Sequence, residues 1–187
     1  MGIVVRPEHL ELVNRSGAVV DTLSYDADAG VFIDVLGGVL GGAPDVEERR
    51  GGHEWFPSTA DRWPGVQVVD DHEPDGVSAD MNVSVRFTHP IVGNGISVST
   101  VQGFRPGDDL EAFAAELGEE WHGSGYDEFP AETGPDIAPR MCFEWDGSCV
   151  EYANANAVSV NLWGGGTTDP TVTSVVSAPW NFGIGHV

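Results

Sequence analysis

Residues 17–23 recur at residues 95–101, and this internal repeat decides the predicted fold: Gly17-Ala18-Val19-Val20-Asp21-Thr22-Leu23 corresponds to Gly95-Ile96-Ser97-Val98-Ser99-Thr100-Val101. Two more matches follow in the same order and at nearly constant spacing, namely Arg62-Trp63-Pro64-Gly65 with Glu144-Trp145-Asp146-Gly147, and Val83-Ser84-Val85 with Val158-Ser159-Val160. Self-similarity at a fixed period is typical of a duplicated unit. The repeat therefore predicts two tandem units, residues 1–92 and residues 93–187, within one shared globular domain.

Each predicted unit carries one amphipathic helix. In the first unit Asp26 or Asp28 can cap the helix, and the residues on its apolar face are Val31, Val35, Leu36 and Val39, before Gly41-Gly42-Ala43-Pro44 ends it. In the second unit Asp108 or Asp109 is the cap, and the apolar face is formed by Leu110, Phe113, Ala114 and Leu117.

Most of the remaining sequence alternates between apolar and polar residues, as half-buried strands do. The predicted strands are Leu10 to Val13, Gly17 to Leu23, Gly65 to Val69, Met81 to Phe87, Gly95 to Val101, Met141 to Trp145, Ser148 to Tyr152, Ala157 to Trp163 and Thr171 to Ser177. Residues 126–140 hold three prolines and no periodicity, which predicts a surface loop. We therefore expect an α+β fold, in which two tandem αβ units form an antiparallel sheet with the helices packed on one face.

Composition excludes several classes of partner. The chain has 187 residues, with 30 acidic residues against eight basic ones, all of them Arg, and a net charge of −22. This charge repels nucleic acid and anionic membranes. Because no apolar stretch approaches the roughly 20 residues that span a bilayer, we expect no membrane insertion of this domain.

Two cysteines bracket a predicted hairpin. Asp146-Gly147 is a two-residue turn signal, which would pair Glu144 with Cys149 and place Cys142 and Cys149 diagonally on the same face. A slightly longer loop would place the two cysteines directly opposite each other. We expect a Cys142–Cys149 disulfide, as in an exported protein, with two free thiols in a cytoplasmic protein as the alternative. The localisation expected is extracellular or at the cell surface, in a mature form whose export signal has been removed; the alternative is cytoplasmic.

The tandem αβ units, the W-x-G hairpins, the Val-Ser-Val strands and the Cys hairpin resemble secreted and lipid-anchored actinobacterial proteins with units like those of the β-lactamase inhibitory protein family. The resemblance implies two repeats with helical segments on an antiparallel sheet, and a concave sheet surface that binds another protein. The chain departs from the inhibitor in having one possible disulfide where that protein has two.

Motifs for chemistry are weak. Asp26-Ala27-Asp28-Ala29-Gly30 lacks the bidentate Glu of a calcium loop and fits a helix cap better. His122-Gly123-Ser124-Gly125 has no acid partner placed by the sequence. The cluster of Asp70, Asp71, Glu73 and Asp75 could hold a hard cation, but a solvated acidic turn is the preferred interpretation. We predict no catalytic residue, no metal site and no cofactor.

The expected binding surface is the open face of the sheet. Side chains alternate between the two faces of a strand, so burial of Val83, Val85 and Phe87 would leave the intervening residues facing outward. The predicted binding residues are Ser84, Arg86, Ser97, Ser99, Ser159, Asn161 and Trp163. The leading functional hypothesis is a non-enzymatic, secreted or cell-surface protein-binding module. The alternatives are an acidic cytoplasmic immunity or inhibitor protein, and a hydrolase with an unidentified carboxylate pair.

Overall fold

The computed structural model describes residues 1–52, 56–72, 81–123, 127–145, 148–163 and 173–182, with only the backbone for 141–145, 148–152, 163 and 173. The described residues form β1 (Gly2–Val5), β2 (His9–Val13), β3 (Val19–Ser24), α1 (Ala29–Leu40), β4 (Asp45–Arg49), β5 (Ser58–Trp63), β6 (Val66–Asp71), β7 (Val83–Phe87), β8 (Ile91–Val92), β9 (Ile96–Thr100), α2 (Leu110–Leu117), β10 (Glu128–Asp136), β11 (Met141–Trp145), β12 (Ser148–Tyr152), β13 (Ala155–Trp163) and β14 (Thr173–Trp180). The fold is therefore mostly β, and the predicted α+β class with helices packed on one sheet face is wrong.

The larger sheet has seven antiparallel strands in the order β10-β13-β14-β7-β6-β5-β4. Its centre is apolar because β7 and its neighbours present valines to one face at alternate positions. Val68 on β6 lies opposite Val85 on β7, which in turn lies opposite Ala178 on β14. The sheet thus has one apolar face across its middle, as the period of two requires.

The smaller sheet has five strands in the order β3-β2-β1-β9-β8. Its β1 and β9 pair in parallel, whereas the other neighbours are antiparallel. Because β9 of the second half pairs with β1 of the first, the two halves of the chain share this sheet. A third, two-stranded sheet consists of β11 and β12.

A single hydrophobic cluster draws side chains from both large sheets and both helices. Its largest fully buried members are Tyr25, Phe32, Phe87, Ile3, Leu10 and Leu36. Neither described helix has the length and apolar composition needed to cross a membrane. The core is therefore built mainly from two sheets, with the helices contributing a few side chains each.

Each helix begins at one of its two candidate caps, and α1 ends at the predicted Gly41. The Asp28 carboxylate accepts from the Val31 N–H at 3.1 Å, and the Asp109 carboxylate accepts from the Ala112 N–H at 3.1 Å. The predicted buried face of α1 is correct only in part: Leu36 is buried and Val39 packs against the core, whereas Val31 and Val35 are exposed and Phe32 and Leu40 are the other buried residues. The larger side chains at i, i+4 and i+8 occupy the core and turn the smaller valines outward.

The predicted loop at residues 126–140 is also wrong, because it contains the nine-residue strand β10. The strand escaped prediction because it contains prolines. Proline cannot donate a ladder hydrogen bond, but an edge strand tolerates it. β10 lies at the edge of the seven-stranded sheet and pairs only with β13 among the described strands, with register shifts between Pro130 and Glu132 and between Thr133 and Asp136.

The two halves do not share a strand order, so the predicted repeat does not extend to sheet topology. In the first half the hairpin β5–β6 pairs directly with β7, whereas in the second half the hairpin β11–β12 forms its own sheet and β13 pairs with β10 and β14. The repeated segments at 17–23 and 95–101 also differ, since β3 is mostly exposed and β9 alternates between buried and half-buried residues. The division into units at residues 92 and 93 stays a prediction.

The cysteine hairpin has the predicted register, with Glu144 opposite Cys149 and Cys142 opposite Glu151. The two cysteines therefore lie diagonally on one face of the hairpin. No disulfide is seen among the described side chains, which include neither cysteine, so the Cys142–Cys149 bond stays a prediction.

Candidate functional site

The structure distributes the seven predicted binding residues over two sheets. Ser84 and Arg86 lie on β7, and Ser159, Asn161 and Trp163 lie on β13, both in the seven-stranded sheet. Ser97 and Ser99 lie on β9 of the five-stranded sheet, where they are half-buried. The predicted binding surface therefore combined residues that lie in two different sheets. For Trp163 the structure describes the backbone only.

The predicted alternation along β7 is observed. Val83, Val85 and Phe87 are buried in the core, while Ser84 and Arg86 are half-buried on the other face. The expectation that this second face is open throughout is wrong, because Ser159 on β13 is 0% exposed and Ser177 on β14 is 8% exposed. β13 is a sheet-interior strand covered on both faces, as its buried residues from Ala155 to Val160 show.

Hydrogen-bond register aligns polar side chains from successive strands on this second face. We call these residues the polar row: Glu128, Ser159, Ser177, Arg86, Gln67 and Arg62, from β10, β13, β14, β7, β6 and β5 in turn. The pairs Ser159 with Ser177, Ser177 with Arg86, Arg86 with Gln67, and Gln67 with Arg62 are each directly opposite in the sheet. The polar row thus crosses six strands.

At its covered end the polar row is organised by one carboxylate. Glu128 accepts a hydrogen bond from the Ser159 hydroxyl and another, at 2.8 Å, from the Asn161 amide. The other amide atom, Asn161 Oδ1, is buried and has no hydrogen-bond partner among the described residues. These two hydrogen bonds hold the Glu128 carboxylate against the neighbouring strand β13. Glu128 and Arg62 are therefore at opposite ends of the polar row.

At its open end the polar row is organised by Arg62. The Arg62 Nη2 atom lies 2.6 Å from Glu47 Oε2 on β4, and its Nε donates to Gln67 Oε1 at 3.4 Å. The Arg62 and Glu47 side chains are 47% and 49% exposed, so this ion pair faces solvent. The row therefore passes from a half-buried carboxylate at β10 to an exposed arginine at β5.

A shallow depression of about 180 Å³ lies beside this open end. It is lined by Arg62, Trp63, Gly65, Val66, Gln67, Arg86 and Thr88. Two of the chain's eight arginines line it, and none of its lining residues is a carboxylate. The depression lies next to the turn between β5 and β6. There the Thr88 N–H donates to the Gly65 carbonyl at 3.0 Å, which holds the residue after β7 against this turn. Within a protein of net charge −22, the depression thus has two guanidinium groups in its lining, and that of Arg62 is paired with Glu47.

Arg86 connects the covered and open parts of the row. Its Nε donates to Ser177 Oγ at 3.3 Å. Burial lowers the pKa of the Arg86 guanidinium because desolvation disfavours the charged form, while the Glu128 carboxylate opposes this effect and the charge of Arg49 adds to it. The guanidinium nevertheless stays charged, because an arginine pKa lies far above neutrality.

Acidic residues are gathered on the opposite face of β5 and β6. Asp61 is only 4% exposed, and burial together with the charges of Asp70 and Glu48 raises the pKa of its carboxyl group. His72 lies 3.6 Å from the Asp70 carboxylate. Among the described residues no group of histidines, cysteines and acidic residues has the arrangement to hold a metal ion. Of the candidate cation cluster, Glu73 and Asp75 lie outside the described residues.

The two other motifs that the sequence singled out have structural partners. Asp28 caps α1, as the helix-cap interpretation predicts. The Asp127 carboxylate, 3% exposed, lies 3.1 Å from His122 Nδ1. This is an acid partner for His122 that the sequence did not place, and the adjoining Ser124 lies outside the described residues.

Sequence reasoning missed Arg62, Gln67, Ser177 and Glu128 as members of the site. Arg62 and Gln67 flank the Trp63-Pro64-Gly65 turn, and this hairpin signal could have paired them with each other. Nothing in the sequence aligns them with Arg86 and Ser177, because those pairings are long-range. Comparison of the chain with protein-family models, curated proteins and solved structures gave no match. The resemblance to the β-lactamase inhibitory protein family therefore stays a sequence-based prediction.

Proposed function

We propose that this protein is a non-enzymatic binding module, that its partner is another protein, and that the partner docks at the Arg62 end of the polar row. The observation that carries the proposal is the depression lined by Arg62, Arg86, Gln67 and Thr88. Arginine is enriched among the residues that dominate binding energy, since its planar guanidinium offers several donors and an apolar stem.

The depression has the size of an anchor site. Pockets that bury a whole small-molecule ligand measure roughly 300–1,000 Å³. A depression of about 180 Å³ accepts one side chain of a larger ligand. The exposed residues of the neighbouring strand β4 supply further surface against which the rest of a protein partner packs.

The net charge of the whole chain favours the approach of basic proteins over acidic ones. A net charge of −22 attracts basic proteins over a distance of about one Debye length and raises their association rate. This property serves a secreted binding module and a cytoplasmic inhibitor equally well, so the proposal concerns the mode of binding and applies to both compartments.

The test is an affinity capture with matched variants. The immobilised chain is incubated with an extract of its source organism as wild type, as Arg62→Ala and as Arg15→Ala, where Arg15 is an exposed arginine on the five-stranded sheet's side of the chain, between β2 and β3. A captured protein is then purified, and its dissociation constant is measured by calorimetry. We expect Arg62→Ala to weaken binding by tenfold or more, on the order of 2 kcal/mol for an interface anchor.

Arg62 is a cleaner choice than Arg86 for this experiment. Arg86 is half-buried and hydrogen-bonded within the sheet, so its removal would also disturb the fold, whereas the Arg62 side chain is 47% exposed. Equal capture by wild type and Arg62→Ala, with both proteins folded, would contradict the proposal. Loss of capture in Arg15→Ala alone would place the interface elsewhere.

A further inference from the structure

We infer that the depression at Arg62 is a carboxylate-binding site. It binds one carboxylate group of the partner protein, whose contact surface is otherwise basic. This inference rests on the proposed function and names the chemistry that the partner must present.

The donors around the depression suit a carboxylate. Arg62 and Arg86 contribute guanidinium groups, Gln67 a side-chain amide and Thr88 a hydroxyl, all on the same sheet face. A guanidinium binds a planar carboxylate through two parallel hydrogen bonds, which fixes orientation as well as affinity. The two arginines lie on the strands on either side of Gln67, and all three residues line the depression.

The chain already uses this geometry internally. Arg6 binds Glu132 through two nitrogens, Nε and Nη2, at 2.9 Å each. At the depression itself, Glu47 occupies one nitrogen of Arg62 at 2.6 Å. A second carboxylate on Arg62 would therefore share the guanidinium with Glu47, and Glu47 competes with the ligand.

The charged residues around the depression determine which charges on the partner are favoured next to that carboxylate. Asp45 and Glu47 on β4 are exposed and belong to the same face as Arg62, with Asp45 directly opposite it in the sheet. Arg49 lies on the same face of β4, 3.4 Å from Glu47. The two carboxylates on this face of β4, together with the net charge of −22, disfavour a uniformly acidic partner and favour a basic surface with one embedded carboxylate. Like charges brought together at an interface are costly, so the pattern provides specificity.

The experiment uses three fluorescein-labelled peptides of Gly and Lys residues and measures their dissociation constants by fluorescence anisotropy. One peptide has a central Glu and an amidated end, one has Gln in its place and an amidated end, and one has Gln and a free terminal carboxylate. We expect one carboxylate peptide to bind about tenfold more tightly than the amidated Gln peptide, since hydrogen bonds to charged groups exceed neutral ones by about that factor. The first and third peptides distinguish a side-chain carboxylate from a chain end.

Protein variants locate the effect. Arg62→Gln is expected to abolish the advantage of the carboxylate peptide, Arg62→Lys to retain part of it because charge remains without the planar fork, and Arg15→Gln to leave it unchanged. Glu47→Gln is expected to increase the advantage by removing the competing carboxylate. Backbone amide NMR shifts at Gln67 and Thr88 upon titration with the tight peptide confirm the position.

Two outcomes overturn the inference: equal or absent binding of all three peptides to the folded wild type, and an advantage that survives in Arg62→Gln. These outcomes are separable from failure of the proposed function. If a protein partner is captured through Arg62 while the peptides show no difference, the binding module stands and the carboxylate site fails. If the peptides differ but no Arg62-dependent protein is captured, the carboxylate site stands and the protein-binding proposal fails.

Discussion

Asp61 and Arg86 carry opposite charges on opposite faces of the seven-stranded sheet, and their surroundings differ. Arg86 is half-buried among polar side chains, and the nearby Glu128 carboxylate favours its charged form. Asp61 is almost fully buried beside two other carboxylates, and no described residue donates a hydrogen bond to it in the structure. The free-energy cost of burying the Arg86 charge is therefore partly offset by Glu128. At Asp61 the like charges of Asp70 and Glu48 increase that cost.

This contrast predicts that Asp61→Asn stabilises the protein at neutral pH. Because the folded state holds a proton on Asp61 more tightly than the unfolded chain does, ionisation of this group reduces stability as the pH rises through the carboxylate range. We expect the variant to unfold at higher urea concentration than wild type at pH 7, with the difference closing below about pH 4, where carboxylates are protonated in both states.

The control for this prediction is Asp45→Asn, an exposed carboxylate on the neighbouring strand β4. We expect it to change the free energy of unfolding by no more than about 0.5 kcal/mol, as surface substitutions usually do. A stability difference for Asp61→Asn that is the same at pH 4 and pH 7 would contradict the electrostatic explanation.

At the scale of elements, α1 shows why helix periodicity alone does not identify the buried face. Apolar residues occur around much of the helix, including Val31, Phe32, Val35 and Leu36. The predicted face of Val31, Val35, Leu36 and Val39 and the observed face of Phe32, Leu36 and Leu40 share Leu36, and both satisfy the spacing of an amphipathic helix. The core selects the second because it buries more apolar area, and the valines are left at 58% and 36% exposure.

The assignment of this face is testable with two substitutions on α1. Leu36→Ala removes a fully buried side chain and is expected to lower the free energy of unfolding by about 2–5 kcal/mol. Val31→Ala, on the exposed face, is expected to change it by less than about 0.5 kcal/mol, since alanine also has the higher helix propensity. Both values come from urea denaturation followed by circular dichroism, and a loss of about 2 kcal/mol or more for Val31→Ala would contradict the assignment of Val31 to the exposed face.

Edge and interior strands also follow different sequence rules in this protein. β7, in the sheet interior, alternates regularly and was predicted within two residues of its start. β10, at the edge, contains Pro130 and Pro135, and its alternation of half-buried and buried residues extends only from Glu128 to Glu132. The difference arises because an edge strand needs partners on one side only, which relaxes the requirement for backbone donors.

At the scale of the whole molecule, Arg6 links the two large sheets. It directly follows β1 of the five-stranded sheet, and it binds Glu132 on β10 of the seven-stranded sheet and, at 2.7 Å, Glu11 on β2. All three side chains are less than a third exposed. A bidentate pair with an additional carboxylate is among the stronger polar contacts that a protein makes.

We therefore expect Arg6→Ala to lower the free energy of unfolding by about 1–3 kcal/mol, because it leaves two carboxylates close together without their shared cation. Arg105→Ala, at an exposed position, serves as the control and is expected to have little effect. The measurement is urea denaturation. If Arg6→Ala matches Arg105→Ala, the sheets are held together by apolar packing without a contribution from this link.

The sequence by itself determined local features of this protein: two candidate caps for each helix, of which Asp28 and Asp109 are used, the register that a two-residue turn gives the cysteine hairpin, and the alternation along β7. Each of these depends on residues within a few positions of one another, where capping, turn geometry and period act directly. The tertiary structure alone decided that Ser97 and Ser99 join another sheet, that Ser159 is covered, and that Arg62, Gln67 and Arg86 form one row. The reason is physical: strand neighbours are chosen by the packing of a shared core over long separations in the chain, and similar segments such as those at 17–23 and 95–101 satisfy the same local rules in different sheet positions.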